Sequence, residues 1–226
     1  MRLLHGDGDP TTPEGLRAIY APPRLPWLRA NMVSSLDGAA TGSDGRSGTV
    51  NNAIDVDVFH VLRDLADAVL VGAGTAIAET YTAKGEGAPI VVVSRRGRVP
   101  DELRGREPGA VRLATVAEAP GLEAARDELG EEYVYATATS EVDLSALLDR
   151  LHEEGMRHLL CEGGPSLLGS LLEAGVVDEL CHTITPKLLA GDGRRIVTGP
   201  PTDVPVSLGS LIEQDGTLLG RWLVTT

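Results

Sequence analysis

The run His158-Leu159-Leu160-Cys161-Glu162-Gly163-Gly164-Pro165-Ser166-Leu167-Leu168 carries the reading of the fold. Leu159 to Cys161 is a short apolar stretch of strand length, and it stops at two glycines that allow close backbone approach. Pro165 then opens a second apolar stretch where proline suits the first helical turn. Strand, glycine turn and helix in that order make a βα unit. The helix would aim its unpaired N–H groups at whatever lies beyond the strand, which makes an anion site without any formal positive charge. From the residues alone, a tight turn with no ligand is an equally good reading.

Working outward, similar strand-length segments recur at Leu28 to Val33, Ala68 to Val71, Ile90 to Val93, Tyr133 to Ala136 and Leu180 to Thr185. Helical spacing separates several of them. Asn52 to Leu65 places Val58, Leu62 and Leu65 on one side, and Leu144 to Glu154 places Leu147, Leu148 and Leu151 there. This alternation predicts an α/β fold with a mostly parallel sheet covered by helices. Near the end, Val206 to Glu213 and Thr217 to Val224 flank Gln214-Asp215-Gly216, a hairpin signal that makes one edge antiparallel. Residues 1–26 hold Pro10, Pro13, Pro22, Pro23 and Pro26 and read as an irregular arm, leaving 27–226 as a single domain.

The 226 residues include 33 acidic and 20 basic side chains, a formal charge of −13. That leaves no basic stripe for a nucleic-acid backbone or an anionic membrane surface. No apolar run approaches the roughly 20 residues needed to cross a bilayer, and the first residues turn polar too early for a signal core, so a cytoplasmic location is expected. Cys161 and Cys181 stand alone in apolar segments, without metal-ligand spacing, and are expected to be buried and reduced. No metal is expected, since the HExxH and zinc-deaminase patterns are missing from the sequence.

In open α/β sheets ligands bind beyond the carboxyl ends of the strands, so three further junctions matter. Gly72-Ala73-Gly74-Thr75 follows the second strand, and Glu79 lies one turn beyond Thr75 on the same face. A GxG pair alone favours a structural turn, and a lone Glu is usually solvated. Ser94-Arg95-Arg96-Gly97-Arg98 leaves the third strand and can either clamp a phosphate or form an exposed loop. Ser34-Ser35-Leu36-Asp37-Gly38 ends the first strand with turn chemistry.

Taken in series, the SLDG block at Ser35 to Gly38, the Gly72-Ala73-Gly74-Thr75 turn, Ser94-Arg95, the EGGP block at Glu162 to Pro165, and Asp178-Glu179-Leu180 with Pro186-Lys187-Leu188-Leu189 resemble the pyrimidine reductase family of riboflavin biosynthesis. The resemblance implies a dihydrofolate reductase-like three-layer sandwich, NADPH as cofactor, reduction of 5-amino-6-(5-phosphoribosylamino)uracil and a homodimer. Carried over residue by residue, it implies that Val33, Thr75, Glu79, Ser94, Arg95, Arg96, Gly163, Gly164, Pro165, Ser166, Leu167 and Leu168 bind cofactor. Ser35, Asp37, Ser47, Arg63 and Glu162 would contact substrate, and Glu79 would be the catalytic proton donor.

The substrate side departs from the family pattern. Its usual Asp is Glu79, and the run that ordinarily supplies an arginine for the substrate phosphate is Thr80-Tyr81-Thr82-Ala83-Lys84, where only Lys84 offers a charge. Asn31 stands where a lysine is common, and Thr49 where an aromatic is expected. These changes bring in two alternatives, a dihydrofolate or pteridine substrate on the same fold, and a non-catalytic NADPH-binding sensor or assembly module.

Overall fold

Strand β2 (Trp27–Ser35) is the axis on which the molecule is arranged, because it is flanked on both sides by parallel strands from late in the chain. In the computed structural model, residues 1–81 and 87–225 are described. In chain order the elements are β1 (Arg2–His5), α1 (Pro13–Tyr20), β2, α2 (Ala53–Leu65), β3 (Ala68–Gly72), α3 (Ala73–Ala78), β4 (Ile90–Val93), β5 (Val111–Val116) and α4 (Leu122–Leu129). They continue with β6 (Val134–Ala138), α5 (Leu144–Glu153), β7 (His158–Cys161), α6 (Pro165–Glu173), β8 (Glu179–Thr185), β9 (Val206–Gln214) and β10 (Thr217–Val224).

One sheet runs in the order β1-β9-β10-β8-β2-β7-β3-β4-β5-β6. From β8 to β6 every neighbouring pair is parallel, and β10, β9 and β1 complete the other edge antiparallel. The β9–β10 hairpin closes on Asp215 and Gly216, both with positive φ (50° and 77°), as a type I′ turn requires. Helices cover both faces, giving the dihydrofolate reductase-like three-layer α/β sandwich that the resemblance implied. On one face Leu147, Leu151, Leu168 and Leu171 from α5 and α6 pack on Ala30, Leu70 and Leu159. On the other, Val58 and Leu62 of α2 meet Val69, Leu160 and Cys181.

Side-chain caps fix where the helices start. Asn52 accepts from the Asp55 N–H, Asp143 from Ala146, and Thr12 from Gly15. The last of these corrects the reading of residues 1–26 as an irregular arm. Thr12 and Pro13 are the N-cap and first residue of α1, whose Leu16, Ile19 and Tyr20 join the core beside Val58 and Leu62, while β1 pairs with β9. The prolines that suggested irregularity punctuate a helix instead. Strand β5 is a second addition: Arg112 breaks its apolar pattern, yet its guanidinium is taken up by Tyr135 and Glu154. Both cysteines are free and buried. No described helix is long and apolar enough to cross a membrane.

At the amino ends of the parallel strands, Glu179 is fully buried between Arg29 and Arg221 and also accepts from Trp27 Nε1. Its neighbour Asp178 accepts from the Leu28 N–H at 2.8 Å and from Arg24 at 2.6 Å. These bonds explain physically why the Asp-Glu-Leu block is present: it locks the start of β8 to β2.

Candidate active site

At the opposite ends of the strands lies a cleft of about 1400 Å³. A single small ligand usually occupies a pocket of roughly 300–1,000 Å³, so this one has room for two. One wall holds the turn after β7, where Gly164 borders the cleft and Gly163 lies beneath it. The Glu162 N–H donates to the Leu70 carbonyl at 2.9 Å, and the Gly72 N–H donates to Gly163 at 2.8 Å, tying the exits of β7 and β3 together. The Gly163–Gly164 peptide is cis, and Gly163 has φ +83°, a conformation that favours glycine. A Cβ on Gly164 would lie 2.3 Å from Thr75 Oγ1, so no side chain fits between the two turns. Gly164 caps α6 without any side-chain bond, Pro165 follows, and the first-turn residues Ser166 and Leu167 border the cleft with N–H groups that the helix itself does not use.

These features fit a dinucleotide pyrophosphate. Gly164 lets the turn pack directly against Thr75 at the cleft wall, and the donors beside it are the neutral amides of a nine-residue helix. Along the same wall, Val33, Ser94, Arg95 and Arg96 line the cleft. Ser94 is buried and its hydroxyl accepts from the Arg98 N–H, holding the loop in a turn, whereas Arg95 is exposed and, among the described residues, pairs with exposed Glu141 at 3.2 Å.

The other end of the cleft is built from side chains distant in sequence. Arg63, from the last turn of α2, donates Nε and Nη2 to the two Glu162 oxygens at 2.6 and 2.7 Å. Tyr81 donates its hydroxyl to Glu162 Oε2 at 2.5 Å, and the Arg63 guanidinium lies 4.5 Å from the Phe59 ring centre. Burial, and then the Glu162 carboxylate, push the Tyr81 phenol well above its ordinary value, so it stays a donor at neutral pH. Burial alone would lower Arg63, but Glu162 outweighs it and keeps the guanidinium charged. Glu79, at the end of α3, faces this group and accepts from the Ser47 N–H at 2.7 Å, which moors the loop after β2 to the cleft wall.

The structure thus brings Val33, Ser47, Arg63, Thr75, Glu79, Ser94, Arg95, Arg96, Glu162, Gly164, Pro165, Ser166 and Leu167 to one cleft. Four expected residues stand apart. Leu168 is fully buried in the core and Gly163 lies beneath the turn, so neither offers a surface to a ligand. Ser35 is buried, and Asp37 accepts from the Ser35 hydroxyl and from the Leu189 and Ala190 N–H groups. These bonds, led by Ser35, hold the Asp37 carboxyl down to about 2, and neither residue lines the cleft. Asp37 is a clamp between two loops, which agrees with the turn chemistry of its own residues. Lys187, two residues before Leu189, holds the carbonyls of Thr49 and Asn51. Lys84 lies outside the described residues.

Phe59, Tyr81 and Asp55 are among the cleft residues that the sequence reading did not single out as candidates. Asp55 had a signal that went unused: it occupies a buried position on α2 in step with Val58 and Leu62.

Residues 26–215 match the model of the RibD C-terminal domain. A relative from Methanothermobacter thermautotrophicus, named 2,5-diamino-6-ribosylamino-4(3H)-pyrimidinone 5′-phosphate reductase, is 32% identical over 187 residues, covering 79% of this chain and 86% of the relative. Among solved structures, a pyrimidine reductase-like protein from Corynebacterium diphtheriae superposes with a TM-score of 0.76 at 24% identity, covering 89% of this chain and 92% of that one. Dihydrofolate reductase from Enterococcus faecalis superposes with a TM-score of 0.50 at 14% identity, over 89% and 98% of the two chains. The two superpositions speak for the fold.

Proposed function

The chain belongs to the RibD C-terminal domain family, and on that premise we propose that it is an NADPH-dependent oxidoreductase that reduces a 6-ribosylaminopyrimidine 5′-phosphate in riboflavin biosynthesis. The observation that supports this reading is the continuity of the cleft: the turn where Gly164 packs against Thr75, at the start of α6, lines the same cavity as the polar group formed by Ser47, Glu79, Arg63 and Glu162.

In the reaction, the ribose ring opens as the amino nitrogen expels the ring oxygen, and the resulting iminium is reduced at C1′ to a ribityl chain. When bound, the reduced nicotinamide supplies the hydride. The protein's own part is the rest. Glu79 is assigned the proton that the departing ring oxygen takes up, and the Ser47 N–H fixes its direction. Arg63, neutralised by Glu162 and fixed by Tyr81, forms a rigid polar wall on which the sugar end is held. The first turn of α6 receives the pyrophosphate, and Arg95 and Arg96 receive the 2′-phosphate that separates NADPH from NADH.

The test is to mix the purified protein with NADPH and the ribosylaminopyrimidine phosphates, following loss of reduced nicotinamide and appearance of a ribityl product by mass. Binding without turnover would leave a nucleotide-binding module. No quenching of NADPH fluorescence on mixing would overturn the reading at its base.

A further inference from the structure

One carboxylate in the cleft has no role in the site as described. Asp55 sits in the first turn of α2, only 5% exposed, and it forms part of the cleft wall. Its Oδ1 is buried and has no hydrogen-bond partner among the described residues. A buried charge without a partner is one of the more costly things a fold can contain, so such a group is retained where something outside the chain completes it. Arg63, the cation on the same helix, is already engaged by both oxygens of Glu162. Burial pushes the Asp55 carboxyl up, a rise that the Thr183 hydroxyl opposes.

The surroundings define what would complete it. Across from Asp55, β2 and β8 run in register with Val33 beside Thr183, and strand alternation puts Asn31 on the same face of the sheet as both. Asn31, Val56 and Phe59 line the cleft with Asp55. Val33, Val56 and Phe59 give the cleft an apolar lining suited to a flat ring whose polar edge would meet the carboxylate. An ionised carboxylate only accepts hydrogen bonds, and it is best matched by two parallel N–H donors, the arrangement an arginine fork presents.

We propose that Asp55 is a specificity-determining residue that reads the base edge of the substrate, selecting a 2-amino-4(3H)-pyrimidinone ring over a uracil ring. The inference rests on the function proposed above and narrows its substrate class. The 2-amino-pyrimidinone offers a ring N–H and an adjacent amino group, side by side, to the two Asp55 oxygens. On the same edge uracil offers its N3–H between two carbonyls, so one carboxylate oxygen would face a carbonyl oxygen. Sites that hydrogen-bond a buried substrate group discriminate strongly against an analogue that leaves the group unpaired.

The decisive substitution is Asp55→Asn, which keeps the shape and exchanges one acceptor for a donor. An amide matches the uracil edge, accepting from the N–H and donating to the carbonyl. Equilibrium binding and turnover are measured for both phosphates, 2,5-diamino-6-ribosylamino-4(3H)-pyrimidinone and 5-amino-6-ribosylaminouracil, with the wild type and the variant. The wild type is expected to favour the diamino compound by about 100-fold or more, and Asp55→Asn to lower that ratio by at least about 100-fold. A variant that changes both substrates by one common factor, as a merely structural Asp55 would, overturns the assignment, as does a wild type that prefers uracil. If the wild type binds neither compound, the proposed function falls and this inference falls with it; binding of both without discrimination removes Asp55's role and leaves the reductase reading in place.

Discussion

Two carboxylates are buried beside strand β8, four residues' reach apart along it, and the protein treats them in opposite ways. At the amino end Glu179 is enclosed by Arg29, Arg221 and Trp27. Burial raises its carboxyl, but the two arginines outweigh burial and bring it below its ordinary value. At the carboxyl end Asp55 faces Thr183 and an open cleft, with one oxygen unanswered, and its carboxyl is raised. The contrast teaches where each end's electrostatics are completed: within the chain at the amino end, by a ligand at the carboxyl end.

The largest test of that contrast removes the charge that is fully matched. Glu179→Gln should lower the free energy of unfolding by about 3–5 kcal/mol in urea, since Arg29 would stay buried without its counter-charge. A loss below about 1 kcal/mol would erase the distinction between the two ends. Next in size is Gly164→Ala. The 2.3 Å approach to Thr75 Oγ1 should cost about 1–3 kcal/mol and weaken NADPH binding about tenfold. Adding Thr75→Ala should recover part of the stability, read as a coupling above about 0.5 kcal/mol; strict additivity would place the crowding elsewhere.

Replacing Arg95 and Arg96 together by Ala should lower the preference for NADPH over NADH by about 10–100-fold, with the melting temperature unchanged because the Arg95–Glu141 pair is exposed. Equal loss of both affinities would argue for general attraction instead. The smallest effect belongs to Asp55→Asn in the absence of ligand, which should raise stability by up to about 1 kcal/mol at neutral pH, the opposite sign to Glu179→Gln. The sign follows from the raised carboxyl. Stability from Asp55 is present below its ordinary value of 3.8 and is lost as pH climbs through the higher folded value, so the variant's advantage should vanish towards pH 4. An advantage that grows on acidification would reverse the argument.

Most of the sheet was legible because its parallel strands are mostly short apolar runs, two of which, β3 and β7, lead into glycine turns, and the hairpin because Asp215-Gly216 permits only a few turns. Strand β5 was not, since Arg112 interrupts its pattern and is satisfied by Tyr135 and Glu154, which no local window contains. Helix α1 hid behind its prolines. In the site, the strand-to-helix turn at Gly163 and Gly164 could be read locally, whereas the Arg63–Glu162–Tyr81 group joins residues that meet only through the fold. Asp37 is a local case, where the turn chemistry of Asp37-Gly38 already points to the loop bonds that its carboxylate accepts.

The position of β2 also sets an order of events in time. It is the first of the parallel strands to be made, yet its neighbours are β7 and β8, which begin at His158 and Glu179. At roughly 5–20 residues per second of synthesis, a strand of mostly buried residues waits on the order of ten seconds for either partner. The early half of the chain therefore emerges with the most adhesive edge of its sheet unpaired, and chaperone capture during translation should concentrate on nascent chains that have passed β2 and not yet reached β7.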